Sequence, residues 1–133
     1  MANLLIVDDD EFICSLTREL LENCGHQVET AADGCAAWAL LDSDPQRFEL
    51  ILLDRQMPRM DGMTLLKHIK SDARLLTLPV IMLTGDHHEA DIIEGLAEGA
   101  NYYLTKPSAE NVLKLIVKNT LAEAKKRPNY WSG

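Results

Sequence analysis

Two adjacent aspartates, Asp8 and Asp9, close the aliphatic run Leu4-Leu5-Ile6-Val7, and a third, Asp54, closes Leu50-Ile51-Leu52-Leu53. If these runs are neighbouring strands of one sheet, three carboxylates meet in one crevice. Like charges at such range are unfavourable unless protons or a cation offset them. A hard divalent cation with oxygen ligands is the simplest counter-charge, and Mg²⁺ suits a site of one or two carboxylates, waters and phosphate oxygens. Thr84 ends a fourth apolar run and Lys106 follows a fifth segment, so a hydroxyl and an ammonium can reach the same crevice. Such a set can hold a phosphoryl group whose oxygens gain charge as it transfers. Singly, each residue has a plainer explanation: aspartates end strands in solvent, Thr84 is a β-branched strand residue, and Lys106 is a surface lysine before a turn. Only the whole set together points to chemistry.

The elements that must position these groups alternate regularly. Leu4–Val7 reads as a short strand covered on both faces, as in a parallel sheet. Glu11–Cys24 carries Phe12, Ile13, Leu16, Leu20, Leu21 and Cys24 at helical spacing, with Gly25 at the helix end. Gln27–Ala31 is a second strand. Gly34–Leu41 is a helix expected to bury Ala36, Ala37, Leu40 and Leu41, closed by Asp42 to Pro45. Leu50–Leu53 is the third strand, followed by a loop holding Met57-Pro58 and Asp61-Gly62 and a helix from about Thr64 to Ser71. Pro79–Leu83 is the fourth strand, His88–Glu98 a helix ended by Gly99, and Asn101–Leu104 the fifth strand. Ser108 is expected to cap a last helix bearing Val112, Leu113, Ile116, Val117 and Leu121. Five βα units imply crossover helices on both faces of a parallel sheet, a doubly wound α/β domain. Ligands of such sheets sit at the carboxyl ends of the strands, where Asp8, Asp9 and Asp54 fall.

The chain has 133 residues, enough for one core, and residues 1–125 read as one domain with 126–133 as a C-terminal tail. Thirteen Lys and Arg against 21 Asp and Glu give a formal charge of −8, which disfavours direct nucleic-acid binding. Cys14, Cys24 and Cys35 lack paired spacing and read as free thiols of a reducing compartment. The N-terminus shows no signal peptide, and no apolar stretch approaches the ~20 residues that span a bilayer. A cytoplasmic location away from the membrane is the expectation. His26 reads as a surface turn residue, and no histidine is placed to donate a phosphoryl group.

Four segments in order carry a family resemblance: Leu5-Ile6-Val7-Asp8-Asp9-Asp10, Leu52-Leu53-Asp54 through Met57-Pro58-Arg59-Met60-Asp61-Gly62, Met82-Leu83-Thr84-Gly85, and Gly99-Ala100 through Tyr103-Leu104-Thr105-Lys106-Pro107. Over residues 4 to 121 the chain resembles the receiver domain of two-component response regulators. The resemblance implies a flavodoxin-like sheet of strand order 2-1-3-4-5. It implies that Asp54 accepts a phosphoryl group from a phosphohistidine on a histidine kinase or histidine phosphotransfer protein. Mg²⁺, for which Mn²⁺ can substitute, would be held chiefly by Asp9, with Asp8, Asp54 and the backbone carbonyl of Gln56. Thr84 and Lys106 would contact the phosphoryl group, and Thr84 and Tyr103 would form the switch, Tyr103 moving inward on activation. Gln56 and Asp86 stand where the family tunes the lifetime of the acyl phosphate. Pro58, Gly62 and Pro107 would shape the loops, the glycine by offering a positive φ.

Ser108 departs from the phenylalanine that many members carry after the Lys-Pro pair. The expected output is a change at the surface of the fourth helix, fifth strand and fifth helix, read by a second copy of the chain or a downstream protein. On this reading the chain is a signalling switch with self-directed phosphotransfer and autodephosphorylation, not an enzyme with a turnover substrate. The rivals are a degenerate receiver acting as an interaction module without phosphorylation, a small aspartyl-nucleophile phosphatase, and a structural domain whose acids only solubilise it.

Overall fold

The computed structural model describes residues 1–125. The tail expected at 126–133 lies outside the described residues. The chain alternates strand and helix throughout: β1 (Asn3–Val7), α1 (Glu11–Asn23), β2 (Gln27–Ala31), α2 (Gly34–Ser43), β3 (Leu50–Leu53), α3 (Gly62–Ser71), β4 (Val80–Thr84), α4 (Glu89–Ala97), β5 (Tyr102–Thr105) and α5 (Glu110–Lys125). The five strands form one parallel sheet of order β2-β1-β3-β4-β5, as expected.

Strand residues divide between two cores because successive side chains leave a strand on opposite faces. Leu5, Val7, Ile51, Leu53, Val80 and Met82 pack with α2 and α3. Leu4, Ile6, Leu50, Leu52, Ile81 and Leu83 pack with α1 and α5. That two-sided burial is why β1, β3 and β4 are uninterrupted apolar runs, and each fully buried leucine contributes about 2 kcal/mol of burial. Tyr103 joins the first core and Tyr102 the second, so the two neighbours point to opposite faces.

Aspartates start three of the helices. Asp10 accepts from the Phe12 and Ile13 amides, Asp33 from Ala36, and Asp61 from Thr64. Asp61 is therefore the cap of α3.

Several expectations need correction. In α1 the buried stripe is Cys14, Thr17 and Leu21, while Phe12 and Leu16 are 70% and 50% exposed. Ala36 and Val112 are also exposed, since α2 buries Gly34, Ala37 and Leu41 and α5 buries Leu113, Val117 and Thr120. Ser108 is not the cap of α5. That helix begins at Glu110, and the Ala109 carbonyl accepts its first bond, from Leu113 at 3.0 Å. Gly62 does not adopt a positive φ; in this loop Arg59 does, at 65°. Gly62 is required for space instead, because a Cβ there would overlap the Asp54 carbonyl oxygen and lie 2.9 Å from the Arg55 Cα.

Candidate functional site

The sheet's own ladder assembles the site. The Asp54 amide donates to the Val7 carbonyl at 2.9 Å, which sets the end of β3 beside Asp8. The Lys106 amide donates to the Thr84 carbonyl at 2.9 Å, which sets the turn after β5 beside the end of β4. Four strand ends thus deliver Asp8, Asp54, Thr84 and Lys106 to one edge.

Lys106 is the hub. Its ammonium donates to Asp8 Oδ2 at 2.5 Å and to Asp54 Oδ2 at 3.2 Å. The remaining oxygens are also engaged: Asp8 Oδ1 accepts from the Asp10 amide at 2.9 Å, and Asp54 Oδ1 from the Arg55 amide at 2.7 Å. Asp8 and Asp54 are buried and Asp9 is exposed. Carboxylate oxygens of Asp8, Asp9 and Asp54 lie within 4.8 Å of one another. Three acids therefore face one ammonium. Burial pushes the Asp8 carboxyl above the usual carboxylate range, against the Lys106 and Asp10 donors, and the Asp54 charge adds to the rise. Burial disfavours the Lys106 charge, yet Asp8 and Asp54 outweigh it and hold the ammonium above its ordinary value. Both directions describe a site with a firm cation and too little positive charge. An all-oxygen donor set in that state fits a hard divalent cation.

Thr84 is buried, and its Oγ1 accepts from the Asp86 amide at 3.3 Å. Tyr103 donates from its hydroxyl to the Asp86 carbonyl at 2.8 Å, and its ring packs against the core and over Gly95 of α4. This is an inward setting for that ring. Gln56 and Asp86, the two residues expected from the family resemblance to tune acyl-phosphate lifetime, meet directly: the Gln56 amide donates to Asp86 Oδ2 at 3.0 Å. Pro58 lies exposed in the β3–α3 loop, and Pro107 follows Lys106 through a cis peptide bond.

Sequence reasoning missed two arginines in this loop. Arg59 clamps the buried Asp33 carboxylate, with Nε at 2.7 Å, and so ties the β3–α3 loop to the start of α2. Arg55 reaches the β4–α4 loop and α4. The available signal was an arginine directly after Asp54, with Asp86, Asp91 and Glu94 following β4.

Cys14 also borders the site, its Sγ donating to the Asp8 carbonyl at 3.3 Å. Burial, and then the Asp8 charge, push its thiol up to about 11. Cys24 and Cys35 are exposed. At neutral pH a thiolate-seeking reagent is therefore expected to label Cys24 and Cys35 quickly and Cys14 at least ~100-fold more slowly. Peptide mapping of alkylated protein checks this, and fast labelling of Cys14 would show that α1 opens readily.

The comparisons with known proteins agree with this geometry. The sequence model of the response regulator receiver domain matches residues 4–118, and the chain belongs to that family. It is 35% identical over 112 residues to the chemotaxis protein CheY1 of Helicobacter pylori, covering 84% of this chain and 90% of that protein. It is 39% identical over 132 residues to the transcriptional regulatory protein CpxR of Escherichia coli, covering 99% of this chain and 52% of CpxR. The chain also spans only 44% of the Synechocystis transcriptional regulator RpaA, at 40% identity over 108 residues that cover 80% of this chain. Among solved structures, a CheY-like receiver domain protein of Methanospirillum hungatei superposes with a TM-score of 0.87 at 31% identity, covering 96% of this chain and 99% of that one. The receiver domain of a Syntrophus aciditrophicus signal transduction histidine kinase gives 0.86 at 34% identity, covering 96% of each. Among the described residues, no helix is long and apolar enough to cross a membrane.

Proposed function

We propose that Asp54 is the phosphoacceptor of a Mg²⁺-dependent switch and that it is charged by the phosphohistidine of a histidine kinase or histidine phosphotransfer protein. The observation that carries this is the state of Asp54. It is a buried carboxylate with one oxygen on Lys106 and the other on the Arg55 amide, inside a three-acid cluster fit for a hard cation. In the step, an Asp54 oxygen forms the new O–P bond while the P–N bond to the donor imidazole breaks, its electron pair staying on the ring nitrogen. Lys106 is already at the reacting carboxylate and meets charge on the phosphoryl oxygens, and the Thr84 hydroxyl joins it.

Asp8, Asp9, Asp54 and the Gln56 backbone carbonyl would hold Mg²⁺, with Mn²⁺ as a substitute. The ion supplies the counter-charge that lets a phosphoryl group approach three acids. Gln56 and Asp86, bonded across the two flanking loops, govern access of water to the acyl phosphate. Self-directed phosphotransfer and autodephosphorylation are the only reactions assigned.

The donor needs a surface beside the site. Phe12 and Leu16 stand exposed on α1, and the groove between α1 and α5 runs past Leu16 and Leu20 to Lys106 and Pro107. A helical partner presenting its histidine fits this place. The readout is assigned to the α4–β5–α5 surface, where Ile93 and Leu96 are exposed, and its reader is a second copy of the chain or a downstream protein.

Intact mass after incubation with acetyl phosphate tests the proposal. One phosphoryl group is expected on the native chain with Mg²⁺, and none on Asp54→Asn. Asp9 is exposed, so Asp9→Asn is expected to leave stability within about 0.5 kcal/mol while raising the Mg²⁺ concentration needed for uptake by roughly ten-fold or more. No adduct on the native chain, sampled at early times, would mark the domain as an interaction module that works without phosphorylation.

A further inference from the structure

Arg55 is engaged at both ends. Its amide donates to the reacting carboxylate, Asp54 Oδ1, at 2.7 Å. Its guanidinium crosses to the next loop and helix: Nε lies 3.6 Å from the Asp86 carboxylate, one terminal nitrogen donates to the Asp91 carbonyl at 3.1 Å, and the other pairs with Glu94 and lies 3.7 Å from the Asp91 carboxylate. The Arg55 side chain is only 13% exposed. Asp91 and Glu94 are one turn apart on a single face of α4, so a planar guanidinium can serve both.

α4 has little else to hold it. Gly95 is its one buried residue, and Ile93 and Leu96 are 58% and 44% exposed. Gly95 lies under the Tyr103 ring, where a Cβ would come within 2.9 Å of the ring carbons. The Tyr103 hydroxyl in turn holds the Asp86 carbonyl. The seat of α4, the β4–α4 loop and the inward Tyr103 thus share one polar anchor. A helix that buries so little apolar surface depends on such ties more than on packing.

We propose that Arg55 is a positioning residue that clamps α4 and the β4–α4 loop in the arrangement seating Tyr103 inward, and so couples the place of α4 to the state of Asp54. The proposal rests on the phosphoacceptor reading above. A phosphoryl group on Asp54 alters the carboxylate that holds the Arg55 amide, while the clamp fixes the loop that carries Asp86 beyond Thr84. The chains that already hold Tyr103 inward have less left to rearrange when the phosphoryl group arrives, so a clamp that raises their fraction also raises the rate of uptake.

The test compares native chain, Arg55→Ala, Arg55→Lys, Glu94→Gln and the double variant Arg55→Ala/Glu94→Gln. Two quantities are read: hydrogen exchange of the α4 amides without phosphodonor, and the initial rate of Asp54 phosphorylation by acetyl phosphate with Mg²⁺. Arg55→Ala is expected to speed α4 exchange and slow phosphoryl uptake, each by roughly three- to ten-fold, the scale of a partly exposed ion-pair network. Glu94→Gln, a change at a half-exposed side chain, should act in the same direction more weakly. The double variant should be no slower than Arg55→Ala, because both remove one interaction. Arg55→Lys should fall between native and alanine, since a point charge cannot serve loop and helix together.

Faster α4 exchange with unchanged uptake would overturn the coupling and leave a merely structural arginine. Additive effects of the two single changes would overturn the shared clamp. No uptake by the native chain at all would instead bring down the phosphoacceptor reading and the coupling with it, an outcome distinct from equal uptake across the set.

Discussion

Lys106→Met is expected to fold less stably at neutral pH by about 2–3 kcal/mol and to take up a phosphoryl group about 100-fold more slowly. The first effect follows from leaving Asp8 and Asp54 buried together with no cation. Removing one partner of a fully buried pair costs about 3–5 kcal/mol, and the smaller figure reflects the 18% of the Lys106 side chain that still meets water. The second follows from losing a donor already placed on the reacting carboxylate.

The pH dependence separates charge from packing. Asp8 already sits above the usual carboxylate range through burial, and Lys106 is the largest influence lowering it. Without Lys106 the Asp8 value rises further above its unfolded value, which favours the protonated form of the folded chain. The penalty is then full above the raised value and shrinks as pH falls through it. In the native chain the complementary effect lies at alkaline pH: Lys106 titrates above its ordinary value, so its contribution is lost only as pH rises through that raised value.

Urea unfolding of native and variant chains at pH 7.5 and pH 5, with and without Mg²⁺, checks this. The deficit should narrow at the lower pH, and at pH 7.5 it should narrow when Mg²⁺ is added. A deficit equal under all conditions would mean that the methylene stem of Lys106 stabilises by packing and that its charge contributes little.

Among the described glycines, Gly62 is the one whose replacement by alanine is expected to do the most damage. A Cβ at position 62 overlaps the Asp54 carbonyl oxygen and comes 2.9 Å from the Asp54 carbonyl carbon and the Arg55 Cα. These are backbone atoms at the end of a central strand, and they cannot swing aside as a flexible side chain can. The Gly62 amide also donates to the Arg55 carbonyl at 2.9 Å, which locks the approach from the other side. Overpacking that must move backbone costs about 3 kcal/mol or more. Because the displaced atoms belong to the phosphoacceptor itself, phosphoryl uptake should fall even where the variant remains folded. Gly85→Ala is the matched control: it neighbours Thr84, and a Cβ there meets nothing within 4 Å. Its thermal midpoint should stay within about 2 °C of native, a stability change of under ~0.5 kcal/mol. A Gly62→Ala chain with native stability and uptake would show that the β3–α3 loop yields easily, and that the glycine is there for another reason.

Much of this protein is legible in the sequence because its three central strands, β1, β3 and β4, are buried on both faces. Such strands must be unbroken aliphatic runs, so Leu4–Val7, Leu50–Leu53 and Val80–Leu83 announce themselves, and the acids or hydroxyl that end them mark the carboxyl edge. Asp8, Asp9, Asp54, Thr84 and Lys106 could be named as one set for that reason. Helix faces were harder to read. The α1 stripe contains a cysteine and a threonine, Cys14 and Thr17, while the larger Phe12 and Leu16 stand outside it. Apolar residues on an exposed face and on a buried face share the same 3.6-residue period, and only the sheet decides which face is covered.

The tertiary structure alone decided which remote groups the polar residues of the site bond. That Asp8 rather than Asp9 is the buried partner of Lys106, that Gln56 meets Asp86, and that Arg55 reaches Asp91 and Glu94 are contacts across 98, 30, 36 and 39 residues. Composition and spacing carry no record of such distances along the chain. The same holds for Gly62, whose need is set by how closely the loop returns to Asp54. Local pattern fixes which edge of the sheet carries the chemistry, because burial imposes a rule on nearly every residue of the three central strands. Partner choice at that edge depends on where two remote loops come to rest, and only the packed fold sets that.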